Sequence, residues 1–254
     1  MALFKPAEQL SDVRGRIQEI LEHCIKEKST LGYFAALYTK VAKGIEAAIE
    51  KKEFDDNERL ARMDVNFVNY YIHAMNCAFS GEPAPAHWQV AIDYSKKPEP
   101  LVLEHLFLAM NAHINYDLSN AINVSVKPEE IIGFKNDFLK VNYILFSLLD
   151  NVQNDVADFV WPLKVYLLFG RKTDDRLLSF GMKLMRNDAF SFSCILALCD
   201  EKYRAIENAN HMNEVVDLGE KLVTHKKAWI KAVFRIVRQF ESGSVVSRID
   251  WLLK

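Results

Sequence analysis

Turn-forming residues are scarce in this chain. Its 254 residues include nine glycines and seven prolines, about half the combined share of roughly 12% that is usual in globular proteins. A many-stranded β fold needs turn signals at intervals of about ten residues, so the scarcity excludes it and favours long helices. Strand-like alternation of apolar and polar residues is missing as well. No stretch approaches the roughly 18 uninterrupted apolar residues of a membrane span. Acids and bases alternate from Lys5 onward, which leaves no apolar core for a secretory signal. Cys24, Cys77, Cys194 and Cys199 form no CxxC pair and match no zinc spacing. They read as small buried hydrophobes of a reduced, cytoplasmic protein. With 32 basic and 34 acidic residues the net charge is −2, and no global field recruits nucleic acid or an anionic membrane surface. Walker, GxGxxG, GxSxG and HExxH motifs are all absent. The run Asp55-Asp-Asn-Glu-Arg lacks the final acid of the DDxxD motif of prenyl-diphosphate enzymes.

What is present is helical periodicity. Half the residues are apolar and 26% are charged, and a chain of this length buries roughly 70–75% of its unfolded surface. Leu10, Val13, Ile17, Ile20, Leu21 and Cys24 recur at intervals of three and four, as do Phe34, Leu37, Tyr38, Val41, Ile45 and Ile49. Each set makes one apolar helical stripe. Asp55 and Asp56 are placed to cap a third, long helix reaching Ser80. Ser80-Gly-Glu-Pro-Ala-Pro and Lys97-Pro-Glu-Pro are the clearest breaks, with a short helix from Pro85 to Tyr94 between them. Further helices are expected at 101–124, 128–149, 152–169, 173–199 and 201–240, the last with a candidate break near Gly219, and a short terminal one after Ser242-Gly-Ser. The expectation is an all-α fold, residues 1–254 forming a single-domain bundle of about nine or ten helices around a central buried helix.

The fifth helix, LVLEHLFLAMNAHINYDLSNAINV, is the unusual one. At 100° per residue its apolar groups surround it on every side, which marks a buried helix. Asn111, His113, Asn115 and Asp117 are set into it. His113 and Asp117, four apart, share a face, and Asn111 and Asn115 share a nearly opposite one. Burying one unpaired amide costs about 2–7 kcal/mol and a lone carboxylate more, so all four need partners. His-x-x-x-Asp on a helix presents two ligands to a metal, or holds an imidazole by a carboxylate for acid/base work, or simply closes a structural hydrogen bond. All three readings stay open. His105 lies about 80° round the same helix, at 100° per residue, and either joins that site or faces a neighbour.

The third helix carries a polar stripe of Arg62, Asn66, Asn69, His73 and Asn76, either a solvated face or a cavity wall. Asp64 points the other way, among Phe67, Val68, Tyr71 and Met75, and a carboxylate there needs a partner; His113 or an asparagine of the fifth helix could supply it. Asn142, Asp150, Asp155 and Asp158 punctuate apolar helices, and Lys226, Lys227, Lys231, Arg235 and Arg238 form a basic band that reads as a solvated face.

The stretch Met110-Asn-Ala-His-Ile-Asn-Tyr-Asp-Leu resembles the signature of a bacterial family catalogued as a domain of unknown function, and Arg59-Leu-Ala-Arg-Met-Asp-Val-Asn-Phe-Val-Asn-Tyr-Tyr resembles its other motif. The resemblance covers most of the chain. It implies one all-helical domain and one constellation of Asp64, Asn69, Asn111, His113, Asn115 and Asp117, and it carries no reaction. A likeness to helical zinc phospholipases stops at His-x-x-x-Asp; their additional histidine ligands have no counterpart at matching positions.

These residues point to a helical enzyme acting on a small or lipid-like molecule between helices three and five, by hydrolysis or a lyase reaction. His113 is the acid/base or a metal ligand, and Asp117 and Asp64 are co-ligands or orienters. Asn111, Asn115 and Asn69 contact substrate, and a divalent metal on His113 and Asp117 is the candidate cofactor. The alternative is a non-catalytic module that binds a small ligand or a partner, in which the same groups form a structural network.

Overall fold

Helices follow one another with little between them. The computed structural model describes residues 2–97, 101–159, 177–224, 241 and 243–253, with the backbone alone for 146, 148–159 and 177–181. Nine helices lie in these segments and no strand does: α1 (Leu10–Lys26), α2 (Gly32–Glu50), α3 (Asn57–Ser80), α4 (Ala86–Ser95), α5 (102–125), α6 (Ile131–Phe159), α7 (Leu177–Leu198), α8 (Glu201–Thr224) and α9 (Val245–Leu253). The all-α bundle expected from the sequence is what forms. Local chemistry sets several ends. Asp56 caps α3 by accepting a hydrogen bond from the Arg59 amide at 2.9 Å. Gly81, at φ +76°, ends α3 in the left-handed conformation that glycine adopts without a Cβ clash. The buried Asp137 of α6 accepts bonds from the Asp55 and Asp56 amides at 2.6 and 3.1 Å and from Arg59 at 3.2 Å, which ties the start of α3 to α6.

Two expected breaks are not there. Asp150-Asn-Val reads as a helix start, yet α6 runs through it to Phe159; Asp and Asn cost only about 0.7 kcal/mol in a helix interior, and no proline or glycine reinforces them. Helix α8 likewise passes through Gly219 unbroken. A Cβ there would come within 3.3 Å of Asn111 Nδ2 and 3.4 Å of Val90 Cγ1, so this glycine allows close approach rather than a bend.

Helix α5 is the axis of the bundle. Its middle packs against α3, α4, α7 and α8, and its first turns against α2. Ile114, Leu118 and Ile122 join a hydrophobic cluster that draws on α1 to α7 and α9. That continuity explains why a helix apolar on every side is stable in water. No helix among the described residues is long and apolar enough to cross a membrane. The basic band at Lys226–Arg238 and the side chains of Asp150, Asp155 and Asp158 lie outside the described residues.

Candidate functional site

Helix α5 changes hand-hold in its middle. Val102–Met110 and Leu118–Ser125 are α-helical, but Asn111–Asp117 is a π-helix of seven residues. Its bonds span five residues instead of four, as from the Leu118 amide to the His113 carbonyl. Such segments are rare and are found frequently at functional sites. This one coincides with the four anomalous polar residues, all of them buried.

On one side Asp117 is a hub. Its Oδ2 accepts from His113 Nδ1 at 3.0 Å and from Trp88 Nε1 at 2.8 Å, and its Oδ1 accepts from His87 Nε2 at 2.8 Å. His87 and Trp88 come from the first turn of α4, just after the Pro83-Ala-Pro85 break. Burial alone would push the Asp117 carboxyl up, but the two imidazoles more than offset it and hold it below the ordinary carboxylate value. Asp117 is therefore an anion that can only accept, and the proton between it and His113 sits on Nδ1. Burial in turn drives the His113 imidazole below its ordinary pKa despite Asp117. A neutral ring with Nδ1 protonated leaves a lone pair on Nε2. That Nε2 is buried and has no hydrogen-bond partner among the described residues.

The ring of His113 is fixed by packing. Phe67 stacks on it at 3.7 Å and 6°, and Tyr38 meets it at 4.9 Å between centroids. It lines a cavity of about 40 Å³ among α2, α3, α5, α6 and α7, room for an ordered water or two. The cavity walls are apolar except for three side chains: Tyr38, His113 and Arg186. The Tyr38 hydroxyl is also buried without a partner, and burial, followed by the Asp64 charge, keeps it protonated well above the ordinary phenol range.

On the other side the amides bond to each other and to α8, and Asn115 Oδ1 alone of their side-chain atoms is buried with no partner among the described residues. Asn115 Nδ2 donates to Asn111 Oδ1 at 2.8 Å, and Asn111 Nδ2 donates to the Val215 carbonyl of α8 at 2.8 Å. His211 Nε2 donates to the Asn115 carbonyl at 2.8 Å. This ladder fastens α8 to the π segment.

The family model described as a family of unknown function (DUF5995) matches residues 10–225. The chain belongs to the DUF5995 family. The matched span includes every residue of the hub and the cavity. No curated protein and no solved structure matches the chain significantly.

Within this DUF5995 chain the six residues singled out from sequence fall in four places. His113 and Asp117 meet. Asn111 and Asn115 bond to each other and to α8, on the side away from the hub. Asn69 grips the N-terminal arm, accepting from the Ala7 amide at 2.8 Å and donating to its carbonyl at 3.0 Å. Asn76 does the same to Phe4 at 2.8 and 2.9 Å, and Asn66 bonds Ser125. Two of the five residues of the α3 polar stripe, Asn69 and Asn76, thus clamp the chain's own backbone, while His73 faces solvent. Asp64 is buried beside the apolar face as expected, but it makes no hydrogen bond with His113 or an asparagine, and its Oδ2 has no partner. Burial, with the Glu46 charge adding to it, raises its carboxyl to about 7. His105 packs edge-on to Tyr33 at 5.9 Å, away from the hub, and burial lowers it to about 4.

The geometry also bears on the metal reading. His113 and Asp117 turn toward each other instead of converging on a third point, and both carboxylate oxygens are occupied by N–H donors. Among the described residues no group of three His, Cys, Asp or Glu side chains is arranged to hold a metal ion. Four contributors were missed from sequence: Tyr38, read only as part of an apolar stripe; His87 and Trp88, whose only mark is an aromatic pair opening a short helix; and Arg186, which sits in the mixed run Lys183-Leu-Met-Arg-Asn-Asp-Ala-Phe with nothing to set it apart.

Proposed function

We propose that this chain is an enzyme whose reaction centre is the cavity lined by His113 and Tyr38, with the Asp117–His113 pair as general base. The observation that carries the reading is that two buried polar atoms of complementary chemistry, the His113 Nε2 lone pair and the Tyr38 hydroxyl, stand on one small cavity without partners among the described residues. Each such atom costs about 1–3 kcal/mol if nothing uses it. Asp117 fixes the tautomer and supports the charge that appears when Nε2 takes a proton, and His87 and Trp88 keep Asp117 ionised and oriented. The Tyr38 hydroxyl donates to an oxygen that gains negative charge. Hydrolysis, with water giving its proton to Nε2, and elimination, with a carbon acid giving it, both begin this way. Of the small or lipid-like substrates expected from sequence, the cavity's volume of about 40 Å³ favours the small, and the four free thiols fit a cytoplasmic location. The alternative, a non-catalytic module, draws its support from the amide ladder that fastens α8 to the other side of the π segment.

The test is consumption of substrate from a mixed pool of small acids, esters and amides, followed by NMR for the parent, H113Q and Y38F. The reading expects at least one compound to be consumed by the parent and at least 100-fold more slowly by H113Q, with helical content unchanged, since a positioned base contributes about 10²–10⁴-fold. Equal consumption by parent and H113Q would overturn it.

A further inference from the structure

A pocket of about 500 Å³ lies where the turn between α1 and α2, the end of α4, the start of α5 and the lead into α9 meet. Its volume is in the range of small-molecule sites, and it shares no lining residue with the cavity of His113. Two buried polar atoms of residues that line it have no hydrogen-bond partner among the described residues: the Tyr33 hydroxyl and Arg248 Nε. A spare buried donor costs about 1–3 kcal/mol unless something accepts from it. Tyr33 is fully buried, and its ring is held edge-on to His105 at 5.9 Å. Burial raises its pKa, against the pull of the nearby Arg248 guanidinium, so the hydroxyl keeps its proton and can donate. Arg248 is matched in charge by Glu241: its Nη2 donates to the Glu241 carbonyl at 2.6 Å, and its Nη1 lies 3.5 Å from the carboxylate. Lys28 and Lys97 line the same pocket and pair with no acid among the described residues. Lys97 instead lies over the Tyr94 ring at 5.0 Å. The pocket thus holds two spare donors and two unbalanced positive charges.

We infer that this pocket binds a small phosphate monoester with a hydroxylated body, its phosphate accepting from the Tyr33 hydroxyl and Arg248 Nε while the flexible Lys28 and Lys97 close on it. The site is separate from the cavity of His113 and does not depend on the enzyme reading. Three arguments select this ligand. The first is charge: one phosphate dianion balances the two lysines, whereas one carboxylate leaves a cation over. The second is shape. The donors come from α2, from α9, from the turn after α1 and from the end of α4, so they approach from several directions. That arrangement suits a tetrahedral group with three free oxygens. A planar carboxylate asks for a parallel fork, and the Arg248 Nη atoms are already turned to Glu241. The third is the wall. Ser29, Thr30 and Ser95 bring hydroxyls to it, while Leu101 and Val245 are its only aliphatic side chains among the described residues. The Thr30 hydroxyl donates to the Ser95 carbonyl at 3.2 Å, which leaves its oxygen free to accept from a ligand hydroxyl.

The experiment is calorimetric titration of the full chain with glycerol phosphate, ribose phosphate and glucose phosphate. Glycerol, malate and inorganic phosphate are the comparisons, and the titrations are repeated on Y33F and on the double variant K28Q/K97Q. At least one ester is expected to bind saturably, with malate and inorganic phosphate at least tenfold weaker and glycerol not binding. Both variants are expected to lose at least fivefold in ester affinity. Y33F is expected to melt no lower than the parent, because the hydroxyl it loses has no partner to strand. K28Q/K97Q changes two exposed side chains and should fold as the parent does, so the comparison stands even if Y33F does not fold. Absence of saturable ester binding, malate or inorganic phosphate binding as tightly as the esters, or undiminished ester affinity in either folded variant would each overturn the inference. Sedimentation with phosphatidylcholine vesicles containing phosphatidic acid distinguishes a soluble ester from the same group on a lipid. No capture is expected, and capture by the parent that K28Q/K97Q loses would overturn the soluble ligand.

Discussion

The two sides of the π segment treat the same problem differently. Both place a pair of polar side chains one turn apart in the most buried helix of the protein. Asn111 and Asn115 spend their donors on each other and on α8, and His211 covers the adjoining carbonyl. His113 and Asp117 recruit His87 and Trp88 to satisfy the carboxylate completely, yet leave Nε2 of the imidazole with nothing. Each side leaves one atom over among the described residues, Asn115 Oδ1 on the amide side and His113 Nε2 on the hub side. The difference is that the hub's spare atom is a base on a cavity, which is what a group kept for chemistry looks like.

Breaking each side in turn sharpens the contrast. D117N should be the most damaging single change. An amide cannot accept from His113, Trp88 and His87 together without setting its own donor against one of theirs, and the expected loss is about 3–5 kcal/mol, read as a large drop in melting temperature. N111A strips the Val215 carbonyl and the Asn115 amide of their partners at an expected cost of about 2–3 kcal/mol. Any binding or turnover in N111A should fall only in step with the folded fraction. In D117N it should fall further than folding accounts for, because His113 then loses its tautomer as well. If N111A instead loses function while fully folded, the two sides are not distinct.

An effect that depends on pH concerns Asp64, another buried group with an oxygen unpartnered among the described residues. Its carboxyl is raised to about 7 in the fold, against an ordinary value near 3.9 in an unfolded chain. The folded state therefore keeps a proton that the unfolded chain has already lost. The stability this gives is complete below about pH 4 and disappears as pH rises through 7. D64N, the shape of the protonated acid without its titration, should match the parent at pH 4 and exceed it at pH 8 by at most about 4 kcal/mol. Chemical denaturation at the two pH values checks this, and equal stability of D64N and the parent at pH 8 would show that Asp64 is solvated.

Much of this was legible in sequence for a physical reason. Helix content followed from few turn residues and three-four spacing, and the burial of α5 followed from apolar groups on every side. The His113–Asp117 pair could be seen because it is local, four residues along one helix. The π segment could not, since bonds to i−5 and i−4 leave the same apolar pattern over seven residues. His87 and Trp88 reach Asp117 across 30 and 29 residues of chain, and Arg186 reaches the cavity from α7, so only the packing of helices reveals them. Asn69 and Asn76 were visible as a polar stripe, but a stripe does not say that its partner is the backbone of residues 4 and 7.

The central claim is that His113 carries its proton on Nδ1 and keeps Nε2 as an open base. Nitrogen-15 NMR of labelled imidazoles, with His113 assigned by comparison with H113Q, measures this directly. The account predicts a neutral ring at pH 7 with Nδ1 protonated and Nε2 bare, titrating below the ordinary histidine value of about 6.5, and an Nε2 resonance that moves when a ligand enters the cavity. A protonated Nε2 at pH 7, whether as the other tautomer or as a charged imidazolium, would contradict it.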